Sequence, residues 1–172
     1  MKSVIQGIRE WLNTCPLMDI FTDGQHIDWT DSSAGNYGIA PVGCVSVETT
    51  TDILGNVYKR KQYNIVLYAR NWTVDDVVRL ENTEFLDEFQ NWVEEQQFAG
   101  LTPKFGDDPD SEEITAQNGM LFEMSEDGQT GLYQIQLAVN YEIHYEAKML
   151  DGTLSLFRHC GEISCGEEPV IF

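Results

Sequence analysis

The chain has 172 residues, enough for one domain with a substantial core, and its composition is that of a globular protein rather than a disordered one. Only 10 Lys and Arg oppose 29 Asp and Glu, a formal charge of −19. Counterion-driven nucleic-acid binding needs a basic face, so sequence-specific DNA or RNA binding is excluded, and anionic membranes are disfavoured on the same ground. No apolar run approaches the roughly 20 residues that span a bilayer. The charge serves either solubility or a surface that must repel DNA, such as the inner wall of a conduit.

Val4, Ile5, Ile8, Trp11 and Leu12 form one apolar helical stripe. They predict an amphipathic helix from about Ser3, an N-cap residue type, to Thr14, with Pro16 stopping it. The polar interruptions Arg9, Glu10 and Asn13 argue against a secretory signal, so a protein made and kept in the cytoplasm is expected. Leu17 to Phe21 is a short apolar run turned by Asp23-Gly24, and residues 30–41 predict a loop from their Ser, Gly, Asn and Pro content. Val42–Thr50 and Val57–Ala69 predict a hairpin whose tip is Asp52 to Asn56. Lys59, Arg60 and Lys61 beside that tip make the densest basic run of the chain. They either keep an edge soluble or dock an acidic neighbour, a second copy included.

Thr73 predicts a helix cap, with Asp75 and Asp76 in the first turn where the helix dipole favours them. The main helix follows over Thr83–Phe98, with Phe85, Leu86, Phe89, Trp92 and Val93 as a core-facing stripe and Gly100 as its end. Asp107, Asp108 and Asp110 lie in a loop over 101–111 that lacks the calcium-loop pattern, and it is expected to be an ordinary solvated acidic segment. Glu113–Glu123 and Leu132–Tyr145 predict a second hairpin closed at Glu126-Asp127-Gly128. In its second strand Tyr133, Ile135, Leu137, Val139, Tyr141, Ile143 and Tyr145 alternate with a mostly polar set that includes His144, so one face meets a core and the other water or a partner. The expected fold class is α+β, a mainly antiparallel sheet of two long hairpins flanked by two amphipathic helices. Residues 1–147 form the domain and 148–172 a C-terminal extension, which adds a strand or serves as an inter-subunit arm ending in the apolar Val170, Ile171 and Phe172.

Four scattered cysteines predict free thiols. Cys160 and Cys165 beside His159 have no second ligand pair at zinc spacing, so no metal is expected. The three histidines form no paired motif, and phosphate-loop, nucleophile-elbow and zincin patterns are lacking, so neither catalytic residues nor a cofactor are expected. His144 on the polar strand face is expected at the surface or an interface.

The order of these segments resembles a known family. An N-terminal helix ending in TCP is followed by a hairpin, the helix EFLDEFQNWVEEQ, the loop GLTPKFG, then ITAQNGMLFEMSEDGQTG and LYQIQLAVNYEIHYE. Over residues 3–146 this is similar to the prophage tail-terminator and minor capsid proteins of Gram-positive hosts. Asn36-Tyr37-Gly38-Ile39 is similar to their N-Y-S-I stretch. The resemblance implies a homo-oligomeric ring, usually of six copies, in the tail or neck of a virion. Such a ring caps the head-proximal end of the tail tube, meets the head–tail connector, lets DNA pass and performs no chemistry. Asn36, Tyr37, His144, the basic run 59–61 and residues 170–172 are then the expected interface residues. The alternatives are another neck or tail-completion protein, or a cytosolic ligand-binding or enzymatic α+β domain with a pocket at His26 or His144.

Overall fold

The computed structural model describes residues 3–150 and 152–158. Contacts divide the chain at Gly43/Cys44, Gln62/Tyr63, Pro103/Lys104, Glu112/Glu113 and Val139/Asn140 into two compact units, each assembled from separate stretches. The fold class is α+β: the described residues form two α-helices and a mostly antiparallel sheet, with strand order β1-β2-β3-β5-β4 and β6 paired to β5. The strands are β1 (Gln25–Ile27), β2 (Asn36–Thr51), β3 (Val57–Trp72), β4 (Glu113–Met124), β5 (Thr130–Leu150) and β6 (Thr153–Arg158).

The first unit holds both helices. In α1 (Val4–Leu12) the Ser3 hydroxyl accepts from the Gln6 amide, capping the helix as expected, and Ile8, Trp11 and Leu12 are buried. Helix α2 (Asp76–Phe98) is a single helix, where two helical stretches were expected. Its N-cap is Asp75, whose carboxylate accepts from the Val78 amide at 2.9 Å. Thr73 is not a cap: it is buried, and its hydroxyl and amide donate to the Gly128 and Gln129 carbonyls. At the other end Gly100 sits at φ +68°, its amide reaching Gln97 and that of Leu101 reaching Gln96, the paired bonds of a glycine C-terminal cap. The buried stripe is Asn82, Leu86, Phe89 and Val93. Trp92 stacks on Trp11 at 4.7 Å, and Phe85 meets Phe21 edge-on, so the aromatic stripe joins α2 to the N-terminal segment.

Residues 36–41, expected as loop, are strand. Gln25, His26 and Ile27 pair in parallel with Tyr37, Gly38 and Ile39, and Tyr37 and Ile39 are buried. Gly38 is required there, because a Cβ would drive into the Trp29 carbonyl. In β4, Ile114 and Ala116 face the core, but Asn118 takes φ +58° and shifts the register by one residue. Gly119 then lies under Leu86 of α2, and Met120, Phe122 and Met124 turn to the opposite face.

In the second unit, β5 runs on to Leu150, and Tyr145 to Leu150 pair antiparallel with Thr153 to Arg158. The boundary expected at 147 therefore falls inside β5, and the described part of the extension adds a strand. Val170, Ile171 and Phe172, with His159, Cys160 and Cys165, lie outside the described residues.

Candidate functional sites

Asn36 and Tyr37, expected at an interface, are interior residues. The Asn36 amide donates to the Ser33 and Asp31 carbonyls, and its Oδ1 accepts from the Asp31 amide, tying down the preceding turn. Burial, opposed only weakly by Arg9, pushes the Tyr37 phenol up to about 12. The hydroxyl stays protonated beside a cleft of about 250 Å³ lined by Asn13, Met18, Phe21 and Gln25. His26 lies tilted against Trp29, with 3.9 Å between ring centroids.

His144 lies on the polar face of β5, as the alternation requires. Its Nε2 is 2.6 Å from Glu142 Oε1, two residues along the same face, and Tyr58 meets its ring edge-on at 4.8 Å. Its backbone amide donates to Asp107 Oδ2 at 2.8 Å, while the Asp107 amide donates to the Glu142 carbonyl. The acidic loop is thus bound to β5 rather than simply solvated. Gly106 permits this approach, since a Cβ there would collide with the Glu142 carbonyl. Glu112 completes the arrangement. It is 4% exposed and accepts from the Phe105 and Gly106 amides at 2.7 and 2.5 Å. Burial outweighs those donors and raises its carboxyl above the ordinary value. The adjoining cleft, lined by Asn56, Tyr58, His144, Tyr145 and Glu146, measures about 170 Å³. That is below the roughly 300 Å³ at which small-molecule pockets begin.

The basic run does not form one patch. Strand alternation puts Lys59 and Lys61 on one face of β3 and Arg60 on the other. Lys59 Nζ sits 5.3 Å from the Tyr145 ring centroid, a cation–π contact that occupies part of its charge. At the tip, the Asp52 carboxylate accepts from the Leu54 and Asn56 amides and the Asn56 side chain. These bonds, with the Tyr58 hydroxyl, hold its carboxyl below the usual range. Beyond Ile39, one edge of β2 has no partner strand among the described residues. In the second unit its stretch from Cys44 to Thr51 is exposed at every position, Val45 and Val47 included, and Ile53 and Leu54 stand out at the tip.

Sequence reasoning missed the outward sheet face of the first unit. Along β3 from Asn64 to Trp72, β4 from Asn118 to Met124 and β5 from Gln134 to Ala138, the outward positions carry no carboxylate, and Arg70 is their one charged residue. The alternation of β3 and β5 was readable; the Asn118 shift that adds Met120, Phe122 and Met124 to this face was not.

Among the described residues no group of three His, Cys, Asp or Glu is placed to hold a metal ion, and Cys15 and Cys44 are free thiols. No described helix is long and apolar enough to cross a membrane. The distinctive features of the described residues are exposed sheet surfaces. No protein-family model and no curated protein matches the chain.

Proposed function

We propose that the chain is a structural subunit of a phage-tail-like particle, a tail terminator that assembles as a homo-oligomeric ring on the head-proximal end of the tail tube and meets the head–tail connector there. The order of elements over residues 3–146 supports this reading. The single observation that carries it is the β2 edge of the second unit. Eight residues, Cys44 to Thr51, are exposed on both faces with one backbone edge open among the described residues. At about 3.3 Å per residue this is some 26 Å of strand carrying solvated valines. Such an edge is a template for another chain, and proteins that work as monomers blunt it with charge, proline or a covering loop. Here Glu48 is its one charged residue. An assembly that covers the edge removes the liability, and a structural subunit needs no catalytic group.

The test is gold-label electron microscopy of particles from the source cells with an antibody against this chain. Label at the head–tail junction or at one end of bare tails is the expected result. Particles that carry no label would overturn the reading.

A further inference from the structure

The outward sheet face of the first unit has a chemistry unlike the rest of the chain. Its apolar side chains are Val66, Tyr68, Trp72, Met120, Phe122 and Met124, with the Phe122 ring 5.8 Å from Tyr68 and more than half of Phe122 and Trp72 open to solvent. Around them stand amides: Asn64, Gln134, and Asn118, whose Nδ2 donates to Gln136 Oε1 at 3.0 Å. A depression of about 220 Å³ lies in the same face between Val42, Asn64, Val66 and Gln136. Arg70, the one outward charge of these stretches, keeps its Nε buried without a hydrogen-bond partner.

We propose that this face is the self-association surface of the chain and that its occupant is a second copy, an inference that rests on the ring-forming reading and names where the copies meet. Charge selects the occupant. Two chains at −19 repel, and the repulsion is greatest where carboxylates confront each other. The stretches 64–72, 118–124 and 134–138 of this face, free of outward carboxylates, are where a second copy approaches at least cost, whereas a cationic partner would select an acidic surface instead. The amides add self-complementarity, because each carries both a donor and an acceptor and pairs with its own kind without net charge.

The dimensions are adequate as part of a ring contact. The stretches of β3, β4 and β5 at about 3.3 Å by 4.8 Å per residue give on the order of 330 Å² of projected face. That is about 40% of the roughly 800 Å² per partner of a standard interface.

The experiment uses the full chain, mixed as ordinary and ¹⁵N-labelled copies, with a photo-crosslinking amino acid at Phe122. Cross-links that join the two isotopes within 64–72, 118–124 or 134–138 are expected. Two variants accompany it. Gln136→Glu, isosteric with the native residue, places a carboxylate on the face, and Phe122→Glu does so at an exposed aromatic. Each should weaken association measured by sedimentation at least about tenfold while circular dichroism stays unchanged, since like charges facing across a contact cost several kcal/mol. Cross-links confined to one copy, including any to residues 159–172, overturn the proposal. So do variants that assemble like wild type, or a wild type that stays monomeric. Variants that assemble normally while the antibody still labels tail ends leave the tail-terminator reading intact; an unlabelled particle removes that reading whatever the variants do.

Discussion

Asn82 occupies a position that its helix would normally give to an apolar residue, and replacing it tests whether the buried polar knot holds α2 to the sheet. The side chain is 5% exposed. Its Nδ2 donates to the Trp72 carbonyl at 2.8 Å and to the Tyr133 hydroxyl at 3.2 Å, and its Oδ1 accepts from Asn71 Nδ2 at 2.8 Å. Asn82→Leu preserves approximate volume and removes all three bonds. Each is worth about 1 kcal/mol net, and a buried group left without a partner costs about 1–3 kcal/mol. The bonds to Asn71 and to the Trp72 carbonyl are only part-buried and exchange for water at about 1 kcal/mol each, so the orphan cost falls on the buried Tyr133 hydroxyl, for about 3–4 kcal/mol in all. Burying the leucine returns on the order of 1 kcal/mol. The expected net loss is therefore about 2–3 kcal/mol, which lowers Tm by roughly 5–10 °C at this chain length. Urea unfolding followed by tryptophan fluorescence reads it directly, and a double-mutant cycle with Asn71→Ala should return about 1 kcal/mol of coupling. A stability change below about 0.5 kcal/mol would refute the reasoning, because it would mean the orphaned groups rehydrate at no cost.

Three further outcomes are expected. Gly106→Ala forces a methyl against the Glu142 carbonyl and should destabilise the second unit by about 1–3 kcal/mol, seen as faster hydrogen exchange at the His144 amide; unchanged exchange there would contradict the close approach. Glu112 has a raised carboxyl, so its contribution to stability is fully present below the ordinary value of 4.5 and is lost as pH rises through the raised value. The stability of wild type minus that of Glu112→Ala should accordingly fall with rising pH in urea titrations, and a difference that grows with pH would show the two amide donors prevailing over burial. Reversing Lys59, Arg60 and Lys61 to Glu should weaken assembly while the fold persists, and intact rings by electron microscopy would rule out the hairpin as a docking point.

The parts of the fold that were legible in sequence are those whose residues answer to one demand. The alternation from Tyr133 to Ile143 reports a half-buried strand because the pleat alone dictates it, and these residues are buried as expected. Ser3 and Gly100 work as helix ends because capping is local chemistry. Residues 36–41 were misread because Asn36, Gly38 and Pro41 look like turn formers, while what decides their conformation is tertiary: Trp29 crossing over Gly38 and the parallel pairing with residues 25–27. Asn82 hid the true start of α2 for the same reason, since its hydrogen bonds go to residues 10, 11 and 51 positions away. The acidic loop looked solvated because a one-residue account cannot see that Asp107 and Glu112 spend their acceptors on backbone amides. Of the candidate interface residues, His144 and the basic hairpin lie at least partly at the surface, and Asn36 and Tyr37 do not.

Salt separates two of the contacts proposed for assembly, the neutral face and the basic hairpin. If the neutral face of the first unit provides the main contact, association works against the mutual repulsion of chains at −19, and screening that repulsion strengthens it. If Lys59, Arg60 and Lys61 provide it by meeting an acidic neighbour, the attraction itself is screened and association weakens. The screening length falls from about 10 Å at 0.1 M to about 3 Å at 1 M, so surface charges on neighbouring copies are sampled fully across that range. Apolar and amide contacts gain at the same time from the exclusion of a salting-out anion such as sulfate. The two contributions are separated by running the series in sodium chloride and again in sodium sulfate at matched ionic strength. Sedimentation should show larger assemblies with rising salt in both, more so in sulfate. Dissociation with rising sodium chloride would assign the contact to the basic hairpin and overturn the neutral face as the main surface of self-association.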